Sequence, residues 1–287
     1  MENNVELRKV RDFGELISDS FLFTKQNLKP LLKAFFAICG FFLVATALSS
    51  VFYHLRLFNT PGNENIFKAK QVFGVEYFAT ITFGYLSYLA VALTTFSYIN
   101  VYREKGDLTP TIEEVWGHFK YYFWRFMGSQ IVLIIMFLIA FMMCFIPGIY
   151  LFPIISLITA TLIFENTGLG YAFDRGFKLI KQNWWTTFGA LVVTMVSMYI
   201  LMAAIALPVG ILSGAGVFLG INKVSTPVTV LMVILQALGQ AFSIIPYITV
   251  SLCYFSLVEK KEGASLLDKI DSIGKGGPAD GLPEEQY

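Results

Sequence analysis

The strongest constraint on this chain is a two-part pattern, in which a one-sided basic segment leads directly into a long apolar run without charge. The pattern is clearest between Gly168 and Leu212, where Leu169–Asn183 passes through Trp184 and Trp185 into uncharged residues. A basic amphipathic helix can lie in the membrane interface, and about 20 apolar residues can cross the hydrocarbon core. The pattern therefore predicts that one half lies on a membrane and the other half passes through it.

The composition of the chain indicates lipid as the solvent for most of its side chains. Of the 287 residues, 56% are hydrophobic and 14% are charged, whereas average soluble domains carry about 25% charged residues. The net charge of +1 provides no basic excess to neutralise phosphates, so we expect no nucleic-acid partner.

The apolar runs predict an all-α integral membrane protein with six transmembrane helices in three hairpins. The predicted spans are about residues 31–53, 77–101, 127–145, 149–164, 186–212 and 227–257. An amphipathic interfacial helix is predicted before each hairpin, at about residues 11–27, 110–126 and 168–184. Residues 1–262 are expected to form a single membrane domain, and residues 263–287, rich in Gly, Pro and charge, a largely disordered cytoplasmic tail.

Two prolines bear on the shape of the predicted spans. Pro147-Gly148 predicts a tight turn, which leaves a return limb of about 16 residues, or about 24 Å, against a hydrocarbon core of about 30 Å. Either a pocket above a short hairpin or a tilted or thinned fit would follow. Pro246 is expected to kink the long sixth span.

The basic residues predict the orientation of the chain. Of the 21 Lys and Arg residues, about 17 fall on the side that holds both termini, which the positive-inside rule assigns to the cytoplasm. The tryptophans fall on that same side, where interfacial anchors are expected. They are Trp116, Trp124, Trp184 and Trp185.

The first and third units of the pattern align under a shift of 156 residues, with the same phase of apolar positions and several identical residues. Phe21 aligns with Phe177, and Lys25-Gln26-Asn27 with the identical Lys181-Gln182-Asn183. The middle unit matches only in its pattern. The chain therefore indicates an internal repeat of three units in one orientation, which differs from the inverted repeats of alternating-access transporters.

Polar residues inside the predicted spans are the candidates for lining a cavity. No charged residue lies deep in any span, so the usual mark of a proton relay or an ion path is missing. The candidate cavity-lining residues are Asn100, Gln130, Gln236 and Gln240. The last two are one helical turn apart and are predicted to face one way, either along a polar groove or in hydrogen bonds between helices.

Residues of the amphipathic segments are the candidates for binding lipid headgroups. They are Lys25, Asn27, Arg175, Lys181, Asn183, Trp184 and Trp185. A solvated face held by salt bridges is the alternative explanation for the charged residues in this group.

The sequence predicts no catalytic or metal site. Cys39, Cys144 and Cys253 lie in apolar runs without ligand spacing, and His54 and His118 are isolated at the interfaces. No serine-histidine-acid set, glycine-rich phosphate loop or HExxH motif occurs. We therefore expect a non-enzymatic protein without a cofactor.

Two stretches carry a family resemblance, namely Phe177–Gly189 and Ile146–Leu151. Together with the order of the spans, they resemble a broad group of bacterial six-span membrane proteins, which includes the membrane domain beside some glycerophosphodiester phosphodiesterases. The segment Gly14–Phe21 resembles the Bacteroidetes branch of that group. The resemblance covers about residues 10–262. It implies a protein of the bacterial inner membrane, and because the catalytic barrel of those enzymes is absent from these residues, it implies no phosphodiesterase activity.

We expect a scaffold or accessory subunit of a membrane complex, with membrane lipids and other membrane proteins as partners. The alternative is a carrier or channel for a small or amphipathic molecule. An intramembrane enzyme has the least support, since it would need acid or base groups that converge at the interface.

Overall fold

The computed structural model of the chain describes residues 5–59, 73–143, 145–218 and 226–274, and these residues form helices without a strand. Six helices are long and apolar enough to cross a membrane, which confirms the predicted all-α membrane protein. The helices are α1 (Phe13–Asn59), α2 (Val75–Glu104), α3 (Ile112–Met143), α4 (Phe145–Phe164), α5 (Leu169–Ile180), α6 (Trp184–Phe218), α7 (Thr226–Gly239) and α8 (Ile244–Gly274). A 3₁₀ turn, Gln240–Ser243, joins α7 to α8.

The second half of α2 lies at the centre of the bundle. Residues 89–102 are buried on every face of this helix, against α1, α3, α4 and α8. A helix that is apolar all round is suited to such a position. In contrast, α3 and α6 keep exposed apolar faces, as helices in contact with lipid do, with Ile135 on α3 and Val196 on α6 each 50% exposed.

The first two amphipathic segments are not separate helices. Residues 11–27 and 110–126 were predicted to end before their spans, but α1 runs for 47 residues and α3 for 32 residues without a break. Pro30 lies inside α1 and removes one backbone hydrogen bond there. A proline among good helix formers can bend a helix without ending it. The third segment does form its own helix, α5, and a turn at residues 181–183 separates it from α6. Asn183 N–H donates to the Ile180 carbonyl at 2.8 Å in that turn.

The α3–α4 hairpin turns earlier than predicted. Pro147-Gly148 does not form the turn, because α4 already begins at Phe145. Pro147 thus lies in the first turn of α4, where its missing N–H has no helical partner to lose. A Cβ on Gly148 would approach the Phe141 ring to 2.7 Å, so this glycine lets the two helices come together. The 20 residues of α4 extend about 30 Å, so the prediction of a limb too short for the bilayer core is wrong.

The sixth span, in which a kink at Pro246 is predicted, is interrupted close to that residue. The break is the 3₁₀ turn Gln240–Ser243, just before Pro246. Pro246 cannot donate a hydrogen bond to the carbonyl of Phe242, one turn earlier, so the helix is interrupted there.

Residues 263–274 continue α8, so the prediction of a disordered tail from residue 263 is wrong for these residues. Ala264, Leu266, Leu267 and Lys269 are strong helix formers, and they carry the helix past the single Gly263. Residues 275–287 lie outside the described part of the chain.

Candidate functional site

Polar side chains gather at one end of the bundle, which we call the polar end. Here α1 and α5 begin, α2 and α4 end, and α8 passes with residues 253–262. Three arginines, Arg11, Arg103 and Arg175, connect these elements.

Arg11 fastens the segment before α1 to the bundle. Its side chain is 0% exposed and donates to the Asp19 carboxylate at 2.8 Å. The backbone N–H of Arg11 donates to Ser256 Oγ on α8 at 2.9 Å. The guanidinium also donates to three carbonyls of the preceding segment, those of Glu6, Leu7 and Lys9. A buried guanidinium that is paired and hydrogen-bonded in this way holds its surroundings in one geometry.

Arg103 joins the end of α2 to the end of α4. It donates to Asn100 Oδ1 at 2.8 Å and to the Phe164 carbonyl at 3.3 Å. The guanidinium also lies 5.7 Å from the centre of the Phe255 ring, within cation–π range. Asn100 in turn donates to Glu104 Oε1 at 2.8 Å. The structure therefore places Asn100, a candidate for lining a cavity, in the hydrogen-bond network of the polar end.

Arg175 joins α4, α5 and α8. Its guanidinium donates to Glu165 Oε1 at 2.9 Å and to Glu262 Oε1 at 2.8 Å, and the Tyr254 hydroxyl donates to the same Glu165 oxygen at 2.7 Å. Burial alone would lower the pKa of Arg175, but the hydrogen bonds to Glu165 and Glu262 outweigh burial and raise the pKa. Arg175, a candidate for binding lipid headgroups, thus has two carboxylate partners inside the protein.

Four lysines surround a cavity of about 300 Å³ beside the end of α5, which we call the basic pocket. Lys178 and Lys181 come from the α5 end, and Lys260 and Lys261 come from α8. Leu179, Gln182, Asn183 and Leu257 complete its wall. Lys260 Nζ donates to Asn183 Oδ1 at 2.9 Å, and Lys261 Nζ donates to the Lys178 carbonyl at 3.2 Å. The two helices are therefore joined through neutral oxygen atoms, and the ion pairs of the described residues include none of these four lysines.

The structure brings together some of the candidate headgroup residues and separates others. Lys181 and Asn183 line the basic pocket, and Trp185, 78% exposed, is the second residue of α6. Lys25 is exposed on α1. Asn27 is only 3% exposed and accepts a hydrogen bond from the Tyr98 hydroxyl at 3.0 Å. Asn27 is thus a packing residue of the α1–α2 contact, although its aligned residue Asn183 borders the pocket.

Trp184 connects the start of α6 to α4. Its indole Nε1 donates to the Tyr150 carbonyl at 3.0 Å, and its ring stacks between those of Tyr150 and Phe188. Trp184 therefore packs against protein. Trp185, in contrast, exposes its ring.

Two adjoining cavities of about 330 Å³ each lie among the spans, and we call them the Tyr247 cavities. The first lies between α2, α3, α4 and α8, and the second extends to α6 and the 3₁₀ turn. Both are lined mainly by apolar side chains, and they share five residues: Tyr88, Phe152, Ser156, Tyr247 and Val250. The rings of Tyr88 and Tyr247 are 6.0 Å apart, and Tyr88 is 53% exposed. Volumes of this size and lining suit an apolar or amphipathic group.

The candidate glutamines reach these cavities but do not form one groove. Gln130 lines the first Tyr247 cavity and donates to Thr159 Oγ1 at 3.1 Å. Gln240 lines the second and accepts from Ser87 Oγ at 2.8 Å. Gln236 lines a different cavity of about 320 Å³. Gln236 lies in α7 and Gln240 begins the 3₁₀ turn, and the two side chains line different cavities rather than one groove.

Four residues that line these spaces were not among the candidates from the sequence. They are Tyr88 and Tyr247 in the Tyr247 cavities and Lys260 and Lys261 in the basic pocket. A tyrosine within an apolar run carries no sequence mark of a cavity. The lysine pair of α8 has a weak signal, since adjacent lysines at the end of a span lie at the interface, but only the fold shows that they meet the α5 lysines.

The described residues contain no group of three or more His, Cys, Asp and Glu side chains that could hold a metal ion. Cys39 and Cys253 are buried in the core, and Cys144 lies outside the described residues. Comparison of the chain with models of protein families, with curated proteins and with solved structures gives no match.

Proposed function

We propose that this protein is a non-enzymatic scaffold or accessory subunit of a complex in the bacterial inner membrane. The observation that carries the proposal is the use of polar side chains inside the spans. Gln130 bonds to Thr159 across α3 and α4, and Gln240 bonds to Ser87 of α2. Although both glutamines border the Tyr247 cavities, their amides are bonded to neighbouring helices, whereas a path for polar solutes needs such groups available to the solute.

The exposed aromatic face of α3 supports a role in binding other membrane proteins. Before its span, α3 exposes Trp124 (73%), Tyr121 (68%) and Trp116 (41%). Tryptophan and tyrosine are enriched both at the energetic centres of protein interfaces and in the interfacial belts of membranes. The polar end holds this part of α3 in place, since Arg125 donates to the Leu162 carbonyl at 3.1 Å on α4.

The proposed orientation has the polar end and both termini in the cytoplasm. It is supported by the excess of Lys and Arg on that side of the spans. Reporter tags at Asn63, between the first and second spans, and at Ser225, between the fifth and sixth, should appear on the opposite face of the membrane. Tags that appear on the cytoplasmic face would overturn this orientation.

The bacterial origin and the inner membrane are proposed on the family resemblance of residues 146–151 and 177–189. Membrane lipids and other membrane proteins are the proposed partners. The low net charge of +1 gives no basic excess for binding nucleic acid, so we propose no nucleic-acid partner. The residue patterns likewise lead us to propose no cofactor.

Native purification in mild detergent, with mass spectrometry of the recovered proteins and lipids, tests the scaffold. We expect a defined set of membrane proteins to be recovered with the chain. Replacing Tyr121 and Trp124 by alanine should reduce that recovery at least tenfold, because aromatic anchors at interfaces each contribute about 2 kcal/mol or more. The control variant carries Ile135→Ala and Ile139→Ala on the lipid-facing part of α3 and should retain the partners. Recovery of a monomer with one stoichiometric small molecule would contradict the scaffold.

The Tyr247 cavities favour a second candidate function, that of a carrier for an amphipathic molecule. Ser156 lines both cavities, so Ser156→Phe should fill them and remove any ligand that co-purifies with the protein. Ser197 is outside the residues that line these cavities, and Ser197→Phe provides the matched control. A ligand that survives Ser156→Phe would exclude these cavities as its site.

A further inference from the structure

The basic pocket is built from two parts of the chain that are far apart in sequence. Lys178 and Lys181 lie at the end of α5, and Lys260 and Lys261 lie on α8, around a space of about 300 Å³. That volume is at the lower end of the range found for small-ligand sites, about 300–1,000 Å³. The space is thus large enough for a phosphate-bearing headgroup.

The charge in this pocket is unbalanced within the described part of the chain. The nearby carboxylate of Glu262 is bound by Arg175 at 2.8 Å. The described ion pairs include none of the four pocket lysines. Lys260 and Lys261 instead donate to the side-chain oxygen of Asn183 and to the carbonyl of Lys178.

A purely structural role explains only part of this arrangement. Lys261 binds a carbonyl in the last turn of α5, where a cation is favoured by the helix dipole. That interaction needs one lysine, whereas four ammonium groups around one space repel each other. An anion in the pocket would relieve this repulsion.

The surroundings of the pocket favour a lipid over a soluble anion. The chain leads from Asn183, in the pocket wall, directly into Trp184 and Trp185 at the start of α6, and Trp185 is 78% exposed. On the same helix Val192 and Val196 are also exposed, at 36% and 50%, and with Trp185 they follow helical spacing. The pocket therefore lies at the level where the exposed apolar run of α6 begins, which is the level of a lipid headgroup in the membrane interface.

We propose that the basic pocket binds the phosphate of an anionic phospholipid in the leaflet that meets the polar end. The lysines neutralise the headgroup, Gln182 and Asn183 border it, and the acyl chains extend from the pocket into the membrane. This inference deepens the lipid-binding part of the proposed function, and it requires neither a protein partner nor the Tyr247 cavities.

The test measures lipid retention by native mass spectrometry, with the full chain exchanged into a mixture of phosphatidylglycerol and phosphatidylcholine of identical acyl chains. We expect the wild type to retain phosphatidylglycerol preferentially. Each basic residue close to an anionic lipid contributes about a factor of five to binding, so the variant Lys181→Gln/Lys260→Gln should lose about 30-fold in that preference. The variant Lys181→Arg/Lys260→Arg keeps the charges and should keep most of the preference.

The matched control is Lys29→Gln/Lys33→Gln, which removes the same charge from exposed lysines of α1. It should retain the preference of the wild type. An equal loss of the phosphatidylglycerol preference in both glutamine variants would show that the general surface charge attracts the lipid, which would overturn the proposed site. An unchanged preference in Lys181→Gln/Lys260→Gln would show that the lipid does not bind in the pocket. Displacement of the lipid by excess inorganic phosphate would identify a soluble anion as the ligand and overturn the assignment.

The result is separable from the scaffold proposal. Loss of the lipid preference with unchanged recovery of partner proteins supports the pocket alone. If Lys181→Gln/Lys260→Gln leaves the lipid preference unchanged, the pocket proposal is overturned. If Tyr121→Ala/Trp124→Ala also loses the partners, the scaffold remains supported.

Discussion

Replacing Arg11 by methionine should loosen the start of the chain from the rest of the protein. The methionine side chain fills much of the same space but removes every donor. The guanidinium is fully buried and is bonded to the Asp19 carboxylate and to three carbonyls of residues 6–9. Asp19 is only 21% exposed in its side chain, so its charge would remain in a poorly solvated place.

The expected loss follows from those contacts. Breaking a buried ion pair on one side costs about 3–5 kcal/mol, and each hydrogen bond to a charged group contributes about 1.5–3 kcal/mol. These terms are not additive, because the freed carbonyls gain water once the segment opens. We therefore expect the free energy of unfolding to fall by about 3 kcal/mol.

Two measurements check the expected change. Unfolding by denaturant in mixed micelles gives the free energy, and hydrogen exchange reports on the backbone of residues 5–12, which should lose its protection. The double variant Arg11→Met/Asp19→Leu should recover part of the stability, because it leaves no unpaired buried charge.

Lys9→Gln is the control, since Lys9 and Glu15 form an exposed ion pair, 46% and 41% exposed in their side chains, and exposed pairs contribute little. If Arg11→Met behaves like Lys9→Gln, with the same stability and the same protection of residues 5–12, the buried arginine does not hold the polar end together.

Three further substitutions test individual contacts by the same unfolding measurement. Gly176→Ala should cost about 1–3 kcal/mol by overpacking, since its Cβ would lie 2.6 Å from Ile158 Cγ1. Combined with Ile158→Ala it should cost less than the sum of the two single changes, and strict additivity would disprove the clash. Tyr254→Phe should cost about 1.5 kcal/mol, because it removes a 2.7 Å bond to a carboxylate; an unchanged stability would show that solvent replaces this bond. Gln130→Leu should cost only about 0.6 kcal/mol, the average for hydrogen bonds between membrane helices, and a loss several times larger would assign Gln130 a role beyond its bond to Thr159.

Hydrophobicity predicted the spans well because it depends on each residue and its near neighbours. The run from Trp184 to Leu207 is apolar enough to cross a membrane whatever surrounds it. The interruption near Pro246 was predictable for the same reason, since a proline removes its own donor wherever it lies in a helix. The continuity of α1 through Pro30 was not predictable, because the packing of the neighbouring helices decides whether such a helix bends or ends.

The candidate sites were harder to predict, since they depend on which helices meet. Asn27 and Asn183 occupy aligned positions in the two units of the pattern. One is buried against Tyr98, and the other borders the basic pocket. Both follow the same Lys-Gln pair, but Asn27 lies inside α1 against α2, whereas Asn183 lies in the turn after α5 beside α8.

The sequence by itself determined the solvent of this protein, the number of its crossings and the absence of charge deep within them, because each follows from the transfer of single side chains between water and hydrocarbon. Only the tertiary structure decided that the backbone of Arg11 bonds to Ser256 of α8 and that Gln130 bonds to α4. The same holds for the four lysines from two distant segments that surround one space. These contacts join residues that the chain separates widely, and their energies exist only when the helices are packed.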